Sequence, residues 1–268
     1  MRNEWNAERA KNWHLFAPPA RPSGAEVARY AAALRDVPRP GVWGLLGSTP
    51  ELRSLAAEAA QPLVCIDRDP DVYEVLAGLV TTRADAERLL CSDWLAAQPE
   101  ERFSVLMADG SLNMLSPDRH AAFFDAVRRM LAPGGVALIR VHLAQPPMFR
   151  DPAAVFAWFR ARGNGEPVFT ATRTHLDMLW LEPGSLRVDF PEYHARLERL
   201  HVEGTITGEE FAAYHRLLRF NRISLWYSTR ALFESLAAAG FEIEEIGFGC
   251  DYTASAQHPL YVLRRRSP

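Results

Sequence analysis

Val42-Trp43-Gly44-Leu45-Leu46-Gly47-Ser48-Thr49-Pro50-Glu51, followed 20 residues after Gly47 by Asp67 at the end of Leu63-Val64-Cys65-Ile66-Asp67, decides the reading of this chain. The stretch reads as an apolar strand, a tight glycine turn, a helix opened by Pro50 and a second strand closing on a carboxylate. Proline at the first helical position forfeits no hydrogen bond, because that amide has no intrahelical partner anyway. Free amides and an acid at one sheet edge are how α/β folds hold a nucleotide-like ligand.

Outward from this stretch, residues 41–143 alternate strand and helix patterns. Strands are expected over 41–47, 63–67, 88–91, 103–108 and 136–142, and helices over 50–60, 70–79 and 117–131. Strands apolar on both faces and alternating with helices make a parallel sheet covered on both sides. Ser116 is expected to cap the last of these helices, and Gly134-Gly135 to stop it. Upstream, 1–40 reads as an N-terminal helical lid segment with a Pro-rich turn at Pro18-Pro19-Ala20-Arg21-Pro22 and a helix begun by Ser23. Residues 144–227 break the βα rhythm as a helical substrate-cap insertion, with a capping box at Thr207-Gly208-Glu209-Glu210. Residues 228–268 return to the core with a helix at 229–239 and strands at 241–246 and 259–265, the last antiparallel to its predecessor.

The chain of 268 residues is 48% hydrophobic and 24% charged, enough to bury a sizeable core without disulfides or metals. A formal net charge of -3 provides no basic field for a nucleic acid or an anionic lipid surface. No segment has the roughly 18 consecutive apolar residues of a membrane span, and the first residues lack the apolar run of a signal peptide, so a cytoplasmic protein is expected. Cys65, Cys91 and Cys250 lie far apart, which suits reduced thiols rather than a metal site. Lysine occurs once against 30 basic residues, which together with the many alanines suggests a GC-rich bacterial genome.

This series resembles the class I S-adenosylmethionine-dependent methyltransferases. The likeness is carried by Leu46-Gly47-Ser48-Thr49-Pro50-Glu51-Leu52, Asp67, Ser92-Asp93-Trp94, Ala108-Asp109-Gly110-Ser111 and Met130-Leu131-Ala132-Pro133-Gly134-Gly135, in family order and spacing. Trp13 and the Pro18–Ser23 turn are similar to a bacterial subgroup with a Gly-x-Thr-Pro-Glu loop in place of the glycine-rich motif. The resemblance implies a Rossmann-like methyltransferase fold: a mostly parallel seven-stranded sheet, an antiparallel last strand, helices on both faces and a helical insertion. It implies S-adenosylmethionine as cofactor and S-adenosylhomocysteine as product. The chain departs from the family where Leu45 replaces an acid and Thr49 and Glu51 replace two glycines.

On that resemblance the cofactor would be held by Gly47, Ser48, Thr49, Asp67, Arg68, Asp93, Trp94, Asp109, Gly110 and Ser111. Asp67 would accept from the ribose hydroxyls, Asp93 from the adenine amine, and the Ser48 and Thr49 hydroxyls would face the methionine carboxylate. Trp13 and Arg21 would close over it, Arg21 meeting a carboxylate. Methyl transfer from a sulfonium needs positioning above all; if a base is used, His142 is the candidate, with Asn113 orienting. Tyr193, Tyr214, Arg222, Trp226 and Tyr227 supply aromatic and polar tips for a substrate pocket.

The function expected is methyl transfer to an O, N or C atom of a small-molecule acceptor, with no nucleic acid or membrane partner. The alternatives are cyclisation or aminocarboxypropyl chemistry releasing methylthioadenosine, and a non-catalytic partner protein that kept the fold. A nicotinamide oxidoreductase would require Gly-x-Gly-x-x-Gly, which Gly44-Leu45-Leu46-Gly47-Ser48-Thr49 does not match. The oligomeric state is left open, a homodimer being one option.

Overall fold

Apolar side chains on both faces bury the central strands from two sides, and the sheet is built around them. The computed structural model describes residues 11–35, 37, 41–163, 165–218 and 223–266. Nine strands occur among them: β1 (Trp43–Leu46), β2 (Leu63–Asp67), β3 (Glu87–Cys91), β4 (Phe103–Asp109), β5 (Leu131–Arg140), β6 (Arg187–Asp189), β7 (Ile223–Leu225), β8 (Phe241–Gly247) and β9 (Leu260–Arg265). Seven form one sheet in the order β3-β2-β1-β4-β5-β9-β8. β9 runs antiparallel to both β5 and β8, and the remaining pairs are parallel. This is the Rossmann-like methyltransferase sheet that the sequence implies.

The helices are α1 (Gly24–Ala33), α2 (Pro50–Glu58), α3 (Pro70–Ala77), α4 (His120–Met130), α5 (Pro152–Arg162), α6 (Val168–Trp180), α7 (Phe190–Val202), α8 (Gly208–Leu218) and α9 (Thr229–Ala238). One sheet face packs Tyr30, Leu52 and Leu55 of α1 and α2 against Leu45, Cys65 and Val105. The other packs Phe123, Phe124 and Leu232 of α4 and α9 against Leu46, Ile66 and Leu106. A third apolar cluster joins the insertion helices to Leu76 of α3 and to Trp13 and Phe16 of the N-terminal segment. It fastens the insertion above the strand ends.

Local signals hold at most starts. Ser23 and Glu26 form a full capping box, Asp69 and Asp151 cap α3 and α5, and Thr207 and Glu210 bond reciprocally at α8. The helix expected over 117–131 is corrected at both ends. Residues 117–119 form a 3-10 turn, Ser116 provides no side-chain cap, and α4 stops at Met130 because Leu131 already pairs with Phe103 in the sheet. Gly135 is needed there for close approach: a Cβ would lie 2.8 Å from the Phe103 carbonyl oxygen. The insertion also carries a short antiparallel ribbon, β6 with β7, that the helical reading did not contain.

Candidate active site

Three parallel strands end side by side at the carboxyl edge, where a register of Leu46 opposite Ile66 and Ala108 sets Gly47, Asp67 and Asp109 around one opening. That opening is a cavity of about 390 Å³, within the roughly 300–1,000 Å³ range of small-molecule sites. Of the residues expected at the site, Trp13, Gly47, Ser48, Thr49, Asp67, Arg68, Asp93, Trp94, Asp109, Gly110, Ser111, Asn113, His142 and Trp226 all line it. Chain order alone separates these residues by more than 200 positions; the topology gathers them.

Gly47 turns the chain at φ +102°, a conformation that disfavours a side chain, and its amide donates to the Ile66 carbonyl at 2.8 Å. The Ser48 hydroxyl, expected to face a methionine carboxylate, donates instead to Asp67 Oδ2 at 3.0 Å. The Asp69 amide donates to Asp67 Oδ1 at 3.1 Å, so both oxygens are oriented before any ligand arrives. Burial raises the Asp67 carboxyl above the ordinary aspartate range, while the bonds from Asp69 and Ser48 pull it down. The Trp94 indole N–H donates to the Ile66 carbonyl at 2.7 Å, fixing its ring beside the turn, and Asp93 caps the following turn through the Leu95 amide.

Asp109 faces Arg140 across the β4–β5 register and is ion-paired with it. Arg140 also bonds Glu26 of α1 at 3.0 Å and the Pro19 carbonyl at 3.1 Å. One buried guanidinium therefore ties the N-terminal segment to the sheet edge, a role the sequence reading did not assign. Its signal was a charged residue ending an apolar strand. Ser111 is likewise structural, its hydroxyl donating to the Leu46 carbonyl at 2.8 Å.

Arg21 does not line the cavity; the carboxylate it meets is that of Glu51, to which the Trp13 indole N–H also donates at 3.4 Å. Burial raises the Glu51 carboxyl, opposed by its own backbone amide and by Arg21. Glu51, standing where the family has glycine, is thus the anchor of the N-terminal segment at the start of α2.

His142 lines the cavity just beyond β5. Asn113 holds its backbone from both sides, accepting from the His142 amide at 2.9 Å and donating to its carbonyl at 3.1 Å. The same amide nitrogen donates to the Leu225 carbonyl at 2.8 Å, linking β4's end to the insertion. His142 packs against the rings of His258 and Trp226, at 4.8 and 5.5 Å. Burial pushes His258 well below the usual histidine range, so it stays neutral there.

Tyr193, Tyr214 and Tyr227 are not among the cavity-lining side chains. Tyr193 packs edge-on to Trp180, Tyr214 bonds the Thr172 hydroxyl, and the Tyr227 hydroxyl reaches the Leu112 and Leu115 carbonyls at 2.8 Å each, so all three serve the core. Arg222 lies outside the described residues. The sequence reading missed four cavity residues that the insertion contributes: Arg173 and Asp177 of α6, paired at 2.6 Å, Phe190 of α7 and Ser224 of β7. Arg and Asp four apart in a predicted helix would have been the signal.

No protein-family model matches the chain, and no curated protein is similar enough to count as a relative. Solved structures are similar in fold. A Rhodobacter sphaeroides protein named as a candidate zinc-dependent alcohol dehydrogenase has a TM-score of 0.62 at 16% identity, over 98% of this chain and 100% of that one. The CcbJ methyltransferase of Streptomyces caelestis has a TM-score of 0.60 at 14% identity, over 98% of each chain. The glycopeptide N-methyltransferase MtfA complexed with S-adenosylmethionine has a TM-score of 0.54 at 15% identity, over 94% of this chain and 100% of that one. At such identities the likeness establishes the fold. Among the described residues no group of three or more His, Cys, Asp or Glu side chains is placed to hold a metal ion.

Proposed function

We propose that this protein is an S-adenosylmethionine-dependent methyltransferase acting at an O, N or C atom of a small molecule. The observation that carries the reading is Asp67: a largely buried carboxylate, pre-oriented by Ser48 and Asp69, at the mouth of a cavity that opens beside the positive-φ turn of Gly47. The donor set fits the cofactor. Asp67 would accept from the ribose hydroxyls, Trp94 and Asp93 would border the adenine, and Gly47 with Asp109 and the Trp13–Ala20 segment would enclose the amino-acid end. Five carboxylates and four guanidiniums line the cavity, an excess of negative charge suited to a sulfonium.

The bound cofactor supplies a methyl group on an already activated sulfur, so the protein's share is orientation, which can be worth on the order of 7 to 11 kcal/mol. If a base is used, His142, which lines the cavity, would take a proton from the acceptor, and Asn113 would act through it by fixing its backbone. A neutral His258 adds no cation beside His142.

Two measurements test the reading. Calorimetric titration with S-adenosylhomocysteine should give saturable binding, and its absence overturns the assignment. Mass spectrometry of the spent cofactor after incubation with S-adenosylmethionine and a panel of small acceptors should find S-adenosylhomocysteine. Methylthioadenosine as the main product would replace methyl transfer with displacement at another carbon of the sulfonium.

A further inference from the structure

Four guanidiniums line the cavity, those of Arg68, Arg119, Arg140 and Arg173, and they are not equivalent. Arg140 engages all three nitrogens inside the protein, Nε with Asp109, Nη1 with Glu26 and Nη2 with the Pro19 carbonyl. Arg68 and Arg119 flank Asp93 at 4.0 and 3.9 Å on side chains 73% and 44% exposed, where water and salt screen any anion they attract. Arg173 of α6 differs from all three. It is 5% exposed, and among the described residues only its Nε is answered, by Asp177 Oδ1 at 2.6 Å.

The rings of Phe190, Phe169 and Tyr193 lie 4.7, 5.5 and 5.8 Å from this guanidinium and hold it without accepting its Nη N–H groups. Asp177 is itself shared, interacting with the Trp226 indole N–H as well as with Arg173. The donors on Nη1 and Nη2 therefore meet no acceptor among the described residues, yet they are not sealed off, and the surface left to so buried a side chain faces the cavity it lines. A guanidinium donates and never accepts, so the group that completes it is one that only accepts. A carboxylate meets the Nη fork with two oxygens and adds charge assistance. A carboxamide turns its own N–H groups against the fork, and an ammonium brings cation against cation.

We propose that the methyl acceptor carries a carboxylate, held by Nη1 and Nη2 of Arg173, with an apolar body along Trp226 and Leu115. The inference rests on the methyltransferase reading of the cavity and adds its substrate class. Asp177 is the positioning residue: it takes the Nε edge of the guanidinium and leaves the Nη edge to the substrate. His142, 5.5 Å from Trp226 between ring centres, stands at the other end of the path along that indole.

The test uses the full chain saturated with S-adenosylhomocysteine and three matched probes, 3-phenylpropanoate, 3-phenylpropanamide and 3-phenylpropylamine. Ligand-observed NMR titrations should rank the carboxylate roughly tenfold or more above the amide and the amine, a difference of about 1.4 kcal/mol. Arg173→Lys keeps the charge but loses the fork and should shrink that advantage, while Arg173→Gln should abolish it. A merely structural Arg173 would lower the melting temperature of both variants without changing the ranking. Arg68→Gln and Arg119→Gln, on exposed side chains that the fold does not depend on, should leave the advantage intact, and its loss in either moves the anion to the Asp93 side and overturns the inference. So does a wild type without carboxylate preference, or a preference that survives in an Arg173 variant that folds; in each case the methyltransferase reading stands. Failure of the wild type to bind S-adenosylhomocysteine overturns both.

Discussion

Asp67 shows how a single residue can be prepared for a ligand. Its two oxygens already accept from Ser48 and the Asp69 amide, which spends local hydrogen bonds on orientation and leaves remaining lone pairs toward the cavity. Charge-assisted hydrogen bonds contribute about 1.5–3 kcal/mol each, so Asp67→Ala should weaken S-adenosylhomocysteine binding roughly tenfold or more in calorimetry. Gly47→Ala has room, the nearest side-chain atom to a new Cβ being Trp94 Cζ2 at 3.9 Å, but it forces a side chain onto φ +102°. That change should lower stability by roughly 1–2 kcal/mol in denaturant melts. Both residues were legible in the sequence because strand ends and tight turns are local events. Arg140 and Glu26 were not, because their partnership spans 114 positions and exists only once α1 packs against β5.

At the scale of elements, the N-terminal segment is clipped at two points. Glu51 of α2 receives Arg21 and the Trp13 indole, and Arg140 of β5 holds the Pro19 carbonyl. A segment so fastened over a ligand mouth is expected to govern escape more than chemistry. Glu51→Gln should therefore speed S-adenosylhomocysteine release several-fold in stopped-flow Trp fluorescence, with the melting temperature little changed. An unchanged release rate would detach the segment from any gating role. The Pro-rich turn was recognisable from its composition, and so was a helix opened by Ser23. What the turn touches was not, since Glu51 read as a departure from a glycine-rich motif rather than as a binding partner.

The whole molecule carries several histidines that burial holds neutral. Burial lowers His258 well below its usual range, and burial also lowers His120 and His175. Each has a folded pKa below that of the unfolded chain, which is about 6.5. The unfolded state therefore binds more protons as pH drops below that value, and stability present above it is progressively lost. Melting temperature should fall from pH 7 toward pH 5.5, and His258→Gln should flatten that slope. A melting temperature that rises over this interval would contradict the neutral assignment. Carboxyls raised by burial, Asp67, Glu51 and Asp177, act in the opposite sense, their contribution being lost as pH rises from the unfolded carboxylate range toward their raised folded values.

By itself, the sequence determined the alternation of strand and helix, the antiparallel return of the last strand and the strand-end residues that line the cavity, because each follows from periodicity, caps and turns within a few residues. The tertiary structure alone decided which side chains of the insertion reach the cavity. Aromatic side chains in 144–227 are chemically alike in sequence, yet packing sends Tyr193, Tyr214 and Tyr227 into the core and leaves Trp226 at the cavity beside Arg173 and Asp177. Burial is a property of how helices meet, and helix-to-helix contact is not written in any single helix.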